Sequence, residues 1–205
     1  MTVIVKPAQD PREQQAAFRF LYEVYVEREK LVSIYKLPTK CVTSRSKWDK
    51  WDRRPSTRHI VAKLESGEVI GHVRLLYRKD GPLPLEENGF SVSPNAQDEC
   101  EVSKMVIHPD YRQSGILAAL YWHIFYICRT AQGLESVVFS SQPQHETLYE
   151  RIGAVRVGSF MNTELNMPCL VMRITFVNTY EEQFGGGLLG RRHGNQKHGG
   201  ASKPS

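Results

Sequence analysis

The stretch from Cys100 to Cys128, CEVSKMVIHPDYRQSGILAALYWHIFYIC, constrains the fold of this chain more than any other. A β-prone run carrying Glu101 and Lys104 meets the turn HPDYRQSG and passes straight into a strongly apolar helical pattern. A strand and helix this apolar, joined by so short a turn, demand a helix laid on a sheet within one core. Two charges inside such a strand must then be paired or put to use, because an isolated buried charge is too costly to keep.

The flanking segments extend the pattern. Val3–Pro7 predicts a short first strand. A helix follows from Asp10, a plausible N-cap with Pro11 at the first helical position, and Phe18, Leu21, Tyr22 and Tyr25 recur at helical spacing. The stretch from Val32 to Thr57 has no clear period and is rich in charge and aromatics, as expected of a long functional or mobile loop. RHIVAKL and VIGHVRLLYR, joined through Gly67, predict a β-hairpin. A second long loop, with prolines at 82, 84 and 94, precedes Cys100. Beyond the apolar helix, ESVVFSS predicts a strand, QPQHETLYERIG a short helix stopped by Gly153, and AVRVGSF and CLVMRITFV two more strands. The expected fold class is α/β, with a mixed, mostly antiparallel twisted sheet flanked by helices.

The 205 residues suit one domain, expected over residues 1–184, followed by a Gly-rich tail over 185–205 expected to lack a packed core. The tail holds Arg191, Arg192, Lys197 and Lys203 and no acid, so +4 of the net +5 resides there. The basic balance is therefore poor support for a nucleic-acid partner. No window approaches the roughly 20 apolar residues of a membrane span, and the N-terminus has no signal pattern. Cys41, Cys100, Cys128 and Cys169 match no paired or zinc-binding spacing, consistent with reduced thiols in a cytoplasmic protein. His108 and His123 show no ligand spacing, so no metal is expected.

Arg112, Gln113, Ser114 and Gly115 stand between a strand and a helix N-terminus. Unpaired backbone N–H groups and the helix dipole favour an anion there, and Arg112 adds charge. The same four residues also read as an ordinary turn capped by Ser114.

Taken together, VIHPDYRQSGILAALYWHI and LYERIGAVRVG resemble the Gcn5-related N-acetyltransferase superfamily. Val106, His108, Pro109, Tyr111, Arg112 and Gly115 fit its acyl-carrier loop, and Tyr149, Glu150 and Gly153 fit its later Y-E-x-x-G motif. Leu117 departs where Gly or Ala is usual. Residues 15 to 160 resemble more narrowly the acyl-homoserine lactone synthases and long-chain N-acyl amino acid synthases. That likeness is carried by Leu21-Tyr-Glu-Val-Tyr25, the Asp49/Asp52 pair, Arg74 in HVRLL, and Glu101, Ser103 and Lys104 in EVSK. Leu21 replaces an arginine of the lactone synthases, and Leu31 lies near where they carry a tryptophan. Both positions serve their S-adenosylmethionine pocket, so the likeness favours an amino-acid acceptor.

The resemblance implies an N-acyltransferase that moves a fatty acyl group from acyl carrier protein to the α-amine of an amino acid, tyrosine being one candidate. Its alternatives are a lactone synthase using S-adenosylmethionine and an acetyl-CoA-dependent acetyltransferase. It implies no permanently bound cofactor. The co-substrate is the acyl-phosphopantetheine of the carrier, or acyl-CoA, held by Arg112 to Gly115. Glu101 is the implied base and Tyr149 the proton donor to the leaving thiolate. Backbone N–H groups near Met105, Val106 and Ile107 would meet the oxyanion. Asp49, Asp52, Arg74, Ser103 and Lys104 would form the acceptor pocket, with a local salt-bridge cluster as the competing reading of the first three. Lys40, Arg45, Lys47, Lys50, Arg53 and Arg54 would steer the acidic carrier.

Overall fold

The computed structural model describes residues 2–92, 99–162 and 166–177. The expected tail over 185–205 lies outside the described residues. Seven strands form one sheet in the order β1-β2-β3-β4-β5-β7-β6. They are β1 (Val3–Pro7), β2 (Arg58–Leu64), β3 (Val69–Tyr77), β4 (Cys100–Ile107), β5 (Ser136–Ser141), β6 (Ala154–Asn162) and β7 (Met167–Thr175). Every pairing is antiparallel except β4 with β5. This is the mixed, mostly antiparallel sheet expected of the sequence. No helix among the described residues is long and apolar enough to cross a membrane.

Helices cover both faces. α1 (Pro11–Tyr22) starts where Asp10 accepts the Glu13 N–H at 2.8 Å, with Pro11 in its first turn, and it runs on as a π-helical turn to Arg28. Its Ala17, Phe20, Leu21 and Val24 are buried against Val61, Val69 and Val106. Each large apolar side chain so buried contributes roughly 1.5–3 kcal/mol. The segment read as aperiodic from Val32 to Thr57 contains α2 (Thr39–Ser44) and 3-10 turns at Ile34–Lys36 and Lys50–Arg53. The second long loop contains α3 (Pro84–Glu87). Such one-turn helices are too short to produce a hydrophobic period.

On the other face lies α4 (Ile116–Phe125), continued as a π-helical turn to Ala131. Ile116, Leu120, Tyr121, Ile124 and Phe125 pack into the main core with Ile60, Val73, Leu75 and Val102. Gly71 permits this approach, since a Cβ there would stand 3.0 Å from Ala62 Cβ and 3.1 Å from Ile116 Cγ2. Trp122 and Tyr126, by contrast, stack on each other on the exposed side of the helix. α5 (Glu146–Glu150) completes the set. All four cysteines are buried and free.

Candidate active site

The site begins with a break in the sheet. β4 pairs with β5 only from Cys100 to Val102, opposite Val137 to Phe139. Beyond Val102 the two strands part, while β4 remains paired with β3 as far as Ile107. The gap is a cleft of about 570 Å³. Ser103 to Ile107 form one wall and Phe139 to Gln142 the other. Tyr25, Glu29, Leu31, Arg112, Gln113, Leu117, Leu148 and Tyr149 complete the lining, with Glu29 and Arg112 in contact. A small apolar void of about 10 Å³ shares Val102, Met105 and Phe139 with it and is closed by Tyr121, Ile124, Ile174 and Phe176.

β4 carries an irregularity that shapes this wall. Arg74 pairs with Ser103 but His72 pairs with Val106, so β4 has one extra residue, and Lys104 takes a positive φ of 50°. Such a bulge re-aims side chains and increases local twist. Ser103 and Lys104 consequently meet the same cluster. Arg74 Nε donates to Ser103 Oγ at 3.0 Å, and Arg74 Nη1 donates to Asp49 and Asp52 at 2.7 Å each. Lys104 Nζ reaches Asp49 Oδ2 at 2.8 Å and Asp52 Oδ2 at 2.9 Å. The Asp-x-x-Asp spacing aims both acids. Asp49 Oδ1 accepts the Trp51 N–H while Asp52 Oδ2 accepts the Asp49 N–H at 2.7 Å, a reciprocal cap on one 3-10 turn.

The four charges sum to zero. Burial alone would raise the Asp52 carboxyl, but Lys104 and Arg74 outweigh it and hold the acid well below the carboxylate range. Burial lowers Lys104 from its ordinary value. For Arg74 burial is outweighed by Asp49 and Asp52, and the guanidinium is held more firmly charged. Arg74 is only 3% exposed. Lys104 and Ser103, which line the cleft, are the part of this cluster that a substrate there would meet.

Glu101 lies on β4 one residue before Val102, where the strands begin to part, and it does not line the cleft. It is 2% exposed and its Oε2 accepts the Leu85 N–H of α3 at 3.0 Å. Burial pushes its carboxyl from 4.5 up to about 8, against the opposing pull of the Leu85 N–H and Arg74. It pairs with neither Lys104 nor Arg74 in the way a simple ion pair would, since both cations face Asp49 and Asp52.

Tyr149, also in the cleft lining, packs edge-on against Phe139, with ring centroids 4.8 Å apart, beside the Tyr121 phenol. Burial raises its phenol, so it is a protonated donor at neutral pH. Ile107 presents backbone to the cleft. His72 opposite Val106 and Ile70 opposite His108 are the hydrogen-bonded pairs, so the N–H of Ile107 turns away from β3. The turn before α4 is N-capped by Gly115 at φ 84°, with open space where a Cβ would be. The Ser114 hydroxyl instead donates back to the Tyr111 carbonyl, so the capping role considered for it is not the one it plays. Arg112 is half exposed and its guanidinium rests on Glu29.

The structure thus gathers Met105, Val106, Ile107, Arg112, Gln113, Tyr149, Ser103 and Lys104 around one cavity. It sets Asp49, Asp52 and Arg74 behind Lys104, and Ser114 and Gly115 behind Arg112. Leu21 is fully buried in the α1 core, while Leu31 faces the cleft. Much of the basic loop is engaged locally: Arg45 pairs with Glu27, Lys50 with Glu87, Arg54 binds the Gly81 and Pro82 carbonyls, and Lys47 is buried. Sequence reasoning passed over two histidines, His59 and His72, whose rings meet at 3.0 Å beneath the charge cluster. Counting outward from the hairpin turn would not have found them, because the register shifts between Ala62 and Lys63; only past that bulge does His59 pair with Arg74, with His72 two residues before it on the same face.

The sequence model of the N-acyl amino acid synthase FeeM family matches residues 16–175. No curated protein sequence matches the chain. Among solved structures, the acyl-homoserine lactone (AHL) synthase LasI superposes with a TM-score of 0.67 at 17% identity, covering 91% of this chain and 96% of its own. FeeM, an N-acyl amino acid synthase from uncultured soil microbes, gives 0.64 at 14% identity, covering 89% and 95%. An acyl-CoA N-acyltransferase from Pseudomonas aeruginosa gives 0.60 at 19% identity, covering 85% and 99%. At these identities the likeness is one of fold, the acetyltransferase fold that the motifs implied.

Proposed function

Since the chain belongs to the N-acyl amino acid synthase FeeM family and is an N-acyltransferase, we propose that it transfers a long-chain fatty acyl group from acyl carrier protein to the α-amine of an amino acid, as a cytoplasmic enzyme. The observation that carries this reading is the cleft between β4 and β5. It joins an anion-favouring helix mouth, a half-buried phenol and the Ser103–Lys104 edge of a charge cluster in one cavity, and an apolar void adjoins it across Val102, Met105 and Phe139.

The chemistry follows from those groups. The phosphopantetheine arm lies along the cleft, its phosphate at the N-terminus of α4 beside Arg112 and Gln113. The acyl chain points toward the apolar void under α4. The acceptor's carboxylate meets Lys104 and Ser103, with Arg74, Asp49 and Asp52 holding Lys104 in place. The ammonium gives up a proton to Glu101 through a water, the route suited to a carboxyl that stands behind the cleft wall. A base held near about 8 is matched to that task. The free amine adds to the thioester carbon, and the Ile107 N–H faces the oxyanion that forms. Collapse breaks the carbon–sulfur bond, and Tyr149 protonates the departing thiolate. The adduct nitrogen gives its second proton to the phenolate, restoring Tyr149, and the proton held at Glu101 leaves to solvent, so one ammonium and one thioester yield one amide, one thiol and one released proton.

The test incubates the purified protein with a long-chain acyl carrier protein and the twenty amino acids, and reads N-acyl products by mass spectrometry. One or more N-acyl amino acids are expected. No product with any acceptor overturns the reading. Turnover with S-adenosylmethionine instead, or with acetyl-CoA alone, replaces it.

A further inference from the structure

The two histidines on the hairpin form a hydrogen-bonded chain whose direction is set by chemistry. His72 Nδ1 lies 3.0 Å from the Lys104 carbonyl oxygen. A carbonyl only accepts, so that ring nitrogen carries a hydrogen. Burial holds His72 well below its ordinary pKa and His59 down to about 4, so both rings are neutral at physiological pH. A neutral imidazole with a hydrogen on Nδ1 has a lone pair on Nε2. His72 Nε2 lies 3.0 Å from His59 Nδ1, so His59 Nδ1 must donate to it. Both rings are therefore Nδ1–H tautomers. The Nε2 lone pair of His59 faces Asp52 Oδ1 at 3.7 Å, with no hydrogen to share. Phe18 packs edge-on against His59 with centroids 5.2 Å apart, excluding water from that side.

The carbonyl at the end of this chain belongs to the one residue of β4 with a positive φ. A Lys in that conformation is strained, and it persists only where its surroundings hold it. The same peptide leads into Met105–Ile107, the cleft wall, while the side chain of Lys104 turns to Asp49 and Asp52. We propose that His72, its ring oriented by His59, is a positioning residue of the transfer site: its Nδ1–H pins the Lys104 carbonyl, fixing the bulge that sends the Lys104 ammonium to one side and the Ile107 N–H toward the cleft. The inference rests on the acyl-transfer reading for its effect on rate, and on the geometry alone for the histidine chain itself.

The experiment compares His72→Asn with His72→Leu. The Asn amide nitrogen can stand in for Nδ1 as donor, whereas Leu leaves the carbonyl unpaired. His72→Leu is expected to lower kcat by about 10- to 100-fold, the loss typical of a misplaced reacting geometry, with KM for the acyl donor within about twofold. His72→Asn is expected to recover most of that rate. Equal loss in both variants, or unchanged kcat in His72→Leu, overturns the proposal. A second readout needs no turnover. Nitrogen-15 correlation spectra of histidine-labelled protein are expected to show Nδ1–H tautomers for both His59 and His72, and an Nε2–H tautomer at either overturns the chain. The Met105–Ile107 amide resonances are expected to shift in His72→Leu and to stay in place in His72→Asn. Wild-type protein that acylates no amino acid sinks the reaction assigned above, and the tautomers and amide shifts still decide whether His72 fixes the bulge.

Discussion

Glu101→Gln isolates the buried carboxyl with little change of shape. The Gln side-chain oxygen still accepts the Leu85 N–H that Glu101 accepts at 3.0 Å, and only the titration is lost. In the wild type burial lifts the group from 4.5 to about 8 in the folded state. A group raised on folding contributes its full stability below the unfolded pKa, and loses it as pH climbs to the folded value. Each pH unit in that window therefore removes about 1.4 kcal/mol. The whole interval amounts to roughly 5 kcal/mol, an upper figure because local opening of α3 would admit water. Urea unfolding followed by tryptophan fluorescence, from about pH 5 to about pH 9, measures both proteins. The stability of the Gln variant relative to the wild type is expected to grow through this range and level off above about pH 8. Glu99 is also raised by burial, but its contribution is common to both proteins and cancels in the difference. Parallel curves would refute the reasoning, since they would mean that Glu101 ionises as an ordinary carboxylate and is not tuned to take a proton from an ammonium.

Tyr149→Phe is expected to lower kcat by about 100-fold with KM for the acyl donor little changed; steady-state kinetics yielding a kcat within twofold of wild type would remove Tyr149 from the protonation step. Asp52→Asn leaves Arg74 and Lys104 facing Asp49 alone in a buried setting, and a loss of about 3 kcal/mol in urea unfolding is expected. Glu29→Gln frees Arg112 from its acidic neighbour at the cleft mouth. KM for the acyl carrier is expected to fall, by up to about fivefold at low salt, as suits an exposed pair worth at most about 1 kcal/mol, and a rise in KM would show that Glu29 holds Arg112 in its working position.

The order and type of the main elements were legible in the sequence because each declares itself locally. Asp10 and Pro11 announce α1, Gly67 the hairpin, and the unbroken apolar pattern after Gly115 the helix on the sheet. The motifs at Arg112–Gly115 and Tyr149 were legible for the same reason, being short runs of contiguous residues. α2, α3 and the 3-10 turns were not, because one turn of helix has no period to read. Sequence by itself determined the fold class, the helix mouth and the identity of the charged residues in the strand. Only tertiary structure decided which charge serves which partner. The extra residue in β4 turns Lys104 to Asp49 and Asp52 and leaves Glu101 on its own under α3, 2% exposed. It also brings His72 beneath the Lys104 carbonyl from 32 residues earlier in the chain. These pairings cross strands whose register no local pattern encodes. The burial that neutralises the histidines and raises Glu101 belongs to the packed sheet and not to any segment of the chain.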